Sequence, residues 1–188
     1  MMFVLLFVAF INCQSQNLCG SSSTRILNFD DLDINHEDGY IELPQPYKNF
    51  IIKRINSPNV TYSDNHIPAI NSSNPSVPSE YYGNSAVSTP NFILTTGEYL
   101  SISKANGGTF AIISLQIKSI FIDQMPVLIR TLRLGVVVSN TTINLSSIGP
   151  TLVNINKKQL DQIVIGCANH DLETCAHMSY DNIVLCRV

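Results

Sequence analysis

The sequence predicts an all-β chain folded as a single antiparallel β-sandwich of the jelly-roll kind. Three observations carry this. Apolar residues recur at every second position, as in Leu100 and Ile102 or Ile113, Leu115 and Ile117, which is the period of a strand with one buried face. Isoleucine and valine are abundant, and the short runs that hold them are broken by turn residues, Asn106-Gly107-Gly108 being the clearest. No segment joins helical spacing to capping residues. Many short strands without helices bury their apolar faces by packing as two layers.

Along the chain, strands are expected at residues 24–29, 50–55, 91–95, 99–103, 109–121, 127–139, 151–155, 160–167 and 179–186. The first is read from Ile26 and Leu27 ahead of an acidic turn, and the second from Phe50-Ile51-Ile52. The strands at 91–95 and 99–103 flank Gly97, and those at 99–103 and 109–121 flank the Asn-Gly-Gly turn. Residues 127–139 are nearly continuous in aliphatic and threonine residues. The segments 160–165 and 180–185 share a pattern of apolar residue, Asp, amide, Ile, Val and aliphatic residue. They are expected to form a hairpin. Residues 56–89 break the rhythm with Pro58, Pro68, Pro75 and Pro78 among serines and asparagines, and read as one long polar loop.

Residues 1–11 are apolar and uncharged, the length of the hydrophobic part of a signal peptide and shorter than the roughly 20 residues of a membrane-spanning helix. Residues 1–13 are therefore expected to be a signal peptide, with a cut after Cys13 (or Ser15), and residues 14–188 one domain of a secreted protein. No later stretch is long and apolar enough to span a bilayer, so no membrane insertion is expected after cleavage. Charged residues are only 13% of the chain, about half the usual share, so solubility falls to hydroxyls, amides and glycans. The net charge of −3 gives no basic face for nucleic acid.

Secretion decides how the cysteines read. Cys19, Cys167, Cys175 and Cys186 form an even set in an oxidising compartment and are expected to be disulfides. Of three connectivities, Cys167–Cys175 with Cys19–Cys186 is preferred, because one closes a short loop and the other ties the chain's ends. The competing reading is zinc, held by Cys167, His170, Cys175 and His177, but the spacing matches no familiar finger. Sequons stand at Asn59, Asn71, Asn140 and Asn144, and the first two are favoured for glycosylation because they lie in the loop.

Six of the fourteen carboxylates fall within residues 30–42. Asp31, Asp33 and Asn35 have the alternate spacing that hands oxygen ligands to one calcium ion, while His36 at the glycine position and the missing helical flanks exclude an EF-hand. A structural calcium and a solvated acidic loop are the two readings. In the long loop, Tyr81 and Tyr82 either stack on the apolar face of a sugar or pin the loop to the sandwich. No nucleophile elbow, zinc-protease helix or phosphate loop is present, and outside the acidic cluster Glu98 and Asp123 are a pair of carboxylates that the fold would have to bring together for a hydrolase. A non-enzymatic protein is expected. Its partner would be a glycan or an extracellular protein, with a matrix protein and a hydrolase as alternatives.

Phe29-Asp30-Asp31-Leu32 at the end of the first strand and Tyr180-Asp181-Asn182-Ile183 in the last resemble secreted galactose-binding-like jelly rolls, a group that includes many carbohydrate-binding modules. The resemblance implies neighbouring first and last strands, Cys19 close to Cys186, and Asp31 and Asp181 near one calcium ion. The chain departs from the group in having no tryptophan, the usual sugar-stacking residue.

Overall fold

The computed structural model describes residues 18–19, 24–34, 37–55, 66–75, 77, 91–168 and 177–187. Twelve strands form two antiparallel sheets: β1 (Thr24–Leu27), β2 (Tyr40–Glu42), β3 (Phe50–Ile55), β4 (Pro68–Asn71), β5 (Asn91–Thr96), β6 (Tyr99–Lys104), β7 (Phe110–Ser119), β8 (Met125–Arg133), β9 (Val136–Leu145), β10 (Thr151–Leu160), β11 (Gln162–Cys167) and β12 (His177–Arg187). One sheet has the order β10-β7-β12-β5-β4-β2, with β1 also paired to β12, and the other β3-β6-β11-β8-β9. Successive strands pass from one sheet to the other at β2/β3, β3/β4, β5/β6, β6/β7, β7/β8, β9/β10, β10/β11 and β11/β12, which is the jelly-roll arrangement.

The alternation read from the sequence becomes the core. Ile102, Ile163, Ile165, Val127 and Ile129 of one sheet meet Leu115, Ile117, Tyr180, Ile183 and Leu185 of the other in one cluster with Phe29, Phe50 and Phe110. Tyr180 is fully buried, and its hydroxyl is 3.2 Å from Thr95 Oγ1, which satisfies both groups.

β12 lies inside the seven-stranded sheet. β7 pairs with most of its length, while β5 covers residues 177–180 on the other side and β1 covers 183–186. First and last strands are thus neighbours, as the resemblance implies, and Cys19 is bonded to Cys186 across 167 residues of sequence. Cys167 is disulfide-bonded too, which removes its thiolate from a zinc set; Cys175 and His170 lie outside the described residues.

Several sequence expectations change. The strand at 127–139 is two strands, because Leu134 and Gly135 both take left-handed conformations (φ 52° and 73°) and make a two-residue hairpin. A leucine there carries no turn signature. β10 runs to Leu160 rather than ending at 155, since bulges with positive φ at Asn156 and Gln159 keep it paired to β7 through a polar stretch. The segments 160–165 and 180–185 form no hairpin, since β11 and β12 lie in different sheets. Residues 68–71 of the expected loop are strand β4, bonded to β2 and β5, with Pro68 at the strand's start where it disrupts no central ladder.

One close approach tests this packing. A Cβ placed on Gly166 would lie 1.4 Å from Cδ1 of Tyr99, whose ring covers the glycine, whereas Gly149 has open space around it. Gly166→Ala should cost about 1–3 kcal/mol by overpacking, and Gly149→Ala close to nothing, in urea unfolding. Equal costs would contradict the packing.

Candidate functional site

The acidic turn after β1 is built by hydrogen bonds. Leu32 N–H donates to Phe29 O at 3.0 Å, and Phe29 itself has φ 59°. Asn91, buried at the start of β5, donates through Nδ2 to Phe29 O at 3.0 Å and Leu32 O at 3.1 Å. Its Oδ1 is buried with no partner among the described residues. Asp30 takes Asn28 Nδ2 at 3.0 Å and Asn91 N–H at 3.4 Å. The turn is therefore tied across the chain to β5.

The sequence-predicted ligands are engaged separately. Asp31 accepts a short hydrogen bond from the Tyr47 hydroxyl and lies 3.2 Å from Lys48 Nζ. Burial opposes ionisation of Asp31, but Tyr47 and Lys48 outweigh it and hold the carboxyl below its ordinary range. Burial and the Asp31 carboxylate push the Tyr47 hydroxyl up. Asp33 is exposed, Asn35 is outside the described residues, and Asp181 is wholly buried with Oδ1 accepting Asn182 N–H at 2.7 Å. Among the described residues no group of three or more His, Cys, Asp or Glu side chains is placed to hold a metal.

A cleft of about 340 Å³ lies where edge strand β2 of one sheet meets edge strand β3 of the other, lined by Tyr40, Glu42, Arg54, His66 and Pro68 among others. Tyr40 and Glu42 are two apart on one strand and so share a face. Tyr40 is 53% exposed. Glu42 pairs with His66 at the cleft, both more than half exposed. Arg54 turns inward, with Nη1 3.1 Å from Oε1 of Glu98, which is 1% exposed and also accepts Thr96 N–H. The cleft thus offers an aromatic ring, a carboxylate, an imidazole and a held guanidinium. Sequence reasoning missed it. Gly39-Tyr40-Ile41-Glu42 carries a short alternation, but the acidic cluster masked it.

The other predicted residues fall as follows. Glu98 is taken up by Arg54 and Thr96, and Asp123 accepts Ser147 N–H at 3.3 Å. His177 packs edge-on against Phe121, and burial holds its imidazole below the usual range against the opposing pull of Glu98. Asn71 is half-buried, with Oδ1 accepting Ser73 N–H and Nδ2 reaching Ile34 O. Asn140 and Asn144 are exposed on β9. Asn59, Tyr81 and Tyr82 lie outside the described residues.

No protein-family model and no curated protein matches the chain. Solved structures of similar shape include a family 29 carbohydrate-binding module from Piromyces equi, 14% identical over 88% of this chain and 91% of that one, with a TM-score of 0.42. An F5/8 type C domain from Bacteroides fragilis is 9% identical over 79% of this chain and 97% of that one, at 0.38. An arabinose-bound GH51 α-L-arabinofuranosidase is 11% identical over 89% of this chain but only 27% of that one, at 0.46. Likeness of this degree leaves the function of this chain to its own side chains.

Arg54 provides a stability test of the cleft. Arg54→Met leaves the buried Glu98 carboxylate without its counter-charge, which should cost about 3–5 kcal/mol in urea unfolding. The double variant Arg54→Met/Glu98→Gln should recover most of that loss. A double variant no more stable than the single one would contradict the pairing.

Proposed function

We propose that this chain is a secreted, non-enzymatic β-sandwich module that binds a neutral glycan in the cleft at Tyr40. The observation that carries the reading is the half-exposed Tyr40 ring beside Glu42, His66 and Arg54 in an open cleft of about 340 Å³. An aromatic face suits the apolar C–H face of a pyranose, and a few fixed polar groups beside it take the sugar hydroxyls and set orientation. Tyr40 fills the role left open by the absence of tryptophan. Tyr81 and Tyr82 remain in the proposal as further contacts from the loop. Signal-peptide removal at residues 1–13 is part of the same reading. So is glycosylation, which exposure favours at Asn140 and Asn144 over the half-buried Asn71. Tyr40→Ala should lower affinity at least tenfold for any glycan that binds on an array, read by calorimetry. A folded protein that binds no glycan, or a Tyr40→Ala variant with undiminished affinity, would overturn the reading.

A structural calcium belongs to this proposal at the acidic turn. The support is the convergence of the Phe29 and Leu32 carbonyls on one side-chain amide, that of Asn91, whose backbone N–H the Asp30 carboxylate accepts. A half-turn of the Asn91 amide, which exchanges its N and O, would present oxygens only, the ligands calcium takes. Bound calcium would fix the turn and hold β1 to β5; the residues that hold it would be Phe29, Asp30, Leu32 and Asn91 rather than the sequence-predicted Asp31, Asp33, Asn35 and Asp181. Saturating calcium should raise the melting temperature of chelator-treated protein by several degrees, by mass action on the native state. Equal melting in calcium and in chelator would remove the ion from the account.

A second reading, an extracellular structural protein acting through protein contacts, is favoured by the β8–β9 hairpin, where Leu134 is 87% and Val136 65% exposed.

A further inference from the structure

A second concavity lies apart from the Tyr40 cleft. It has about 250 Å³ of space and is lined by Arg25, Lys48, Asn49, Lys104, Cys186 and Arg187 among others. Four of the chain's eleven cationic side chains meet there, and among the described residues no carboxylate side chain lines it. This runs against the net charge of −3. Like charges gathered in a concavity repel one another and focus their field on whatever enters.

The walls come from distant parts of the sequence and are fixed. Cys186, whose disulfide to Cys19 anchors it, leads directly to Arg187. Arg25 stands on β1, paired with Leu185 of β12. Lys48 and Asn49 occupy a two-residue turn closed by Tyr47 N–H to Phe50 O at 2.9 Å and Phe50 N–H to Tyr47 O at 2.8 Å. Both have left-handed φ, 47° and 70°, the conformation for which such turns favour Asn-Gly. A lysine there is unusual, and residues so held persist where their surroundings determine them. Asn49 O accepts Ala105 N–H at 3.0 Å, which binds this turn to the opposite wall. Lys104 Nζ is held on Thr109 O at 3.2 Å. Lys48 is offset by Asp31 at 3.2 Å, so the net positive charge rests on Lys104 and on Arg25 and Arg187, both exposed and with no ion pair among the described residues.

We infer that this pocket binds an oxyanion group, a sulfate or carboxylate carried on a saccharide of about one ring. Guanidinium groups grip such oxygens in a planar, two-bonded fashion, and Lys104 supplies point charge. The space suits a single sugar rather than a larger ligand. The inference does not depend on the Tyr40 cleft, which carries a ring and a carboxylate in place of a ring of cations.

The test is calorimetry of the full chain at fixed ionic strength with three probes: sodium sulfate, a sulfated disaccharide, and the same disaccharide without sulfate. The sulfated disaccharide should bind at least tenfold more tightly than its desulfated form. Its affinity should fall as salt rises, and should drop at least tenfold in Arg25→Gln/Arg187→Gln. Both arginines are exposed, so the variant's circular dichroism and melting should match the parent protein and report a folded chain. Equal affinity for the sulfated and desulfated forms, or undiminished affinity in the double variant, would overturn the site. Free sulfate binding as tightly as the sulfated disaccharide would overturn its assignment to a saccharide.

Discussion

The structure depends on β12, the last strand of the chain, being placed inside the seven-stranded sheet rather than at its edge. Its neighbours on the two sides are β7, and β5 followed by β1. It supplies Met178, Tyr180, Ile183 and Leu185 to the main core. A bulge at Asn182, with φ 46°, lets the strand change neighbours without losing its partner on the far side. Asn182 Nδ2 donates to Gln116 Oε1 at 2.9 Å and holds the bulge to β7. Until β12 is in place, β1 has no partner and β7 is unpaired on one side, so the sheet closes through contacts far apart in sequence. The Cys19–Cys186 bond then limits how far the ends can separate in the unfolded chain.

Both candidate sites follow from this placement. The change of neighbour from β5 to β1 leaves a seam beside β12, and the acidic turn is folded into that seam by Asn91 at the head of β5. β5 carries β4 and β2 outward to the edge that faces β3, which opens the cleft at Tyr40. At the other end of β12, Cys186 and Arg187 form one wall of the basic pocket. The ring-lined cleft and the cation-lined pocket thus sit on the same rigid frame but differ in charge, and so in the ligands proposed for them.

Much of the fold was legible because its strands have one apolar face: the alternation in Ile113, Leu115 and Ile117 and in Leu100 and Ile102 maps directly onto the core. The pairing of chain ends was legible from Cys19, Cys186 and the motifs of the first and last strands. What escaped was backbone conformation that side chains do not announce. Leu134 turns a hairpin in a left-handed conformation that leucine rarely adopts, and Asn156 and Gln159 carry bulges through a polar stretch. β4 escaped because Pro68 opens it inside a proline-rich segment. The Tyr40 cleft and the basic pocket were invisible for a different reason. Each joins residues that are ordinary in sequence, such as Tyr40 with Arg54 or Arg25 with Lys104, and only the topology brings them together.

Native-state hydrogen exchange measures the role of β12 most directly. Amides of Tyr180, Ile183 and Leu185 should exchange only through global unfolding, with a free energy equal to that from denaturant titration, while amides of the edge strand β9 open locally at lower cost. Exchange of the β12 amides at the same low free energy as β9 would contradict the account, because the frame that holds both sites would then open without the rest of the fold.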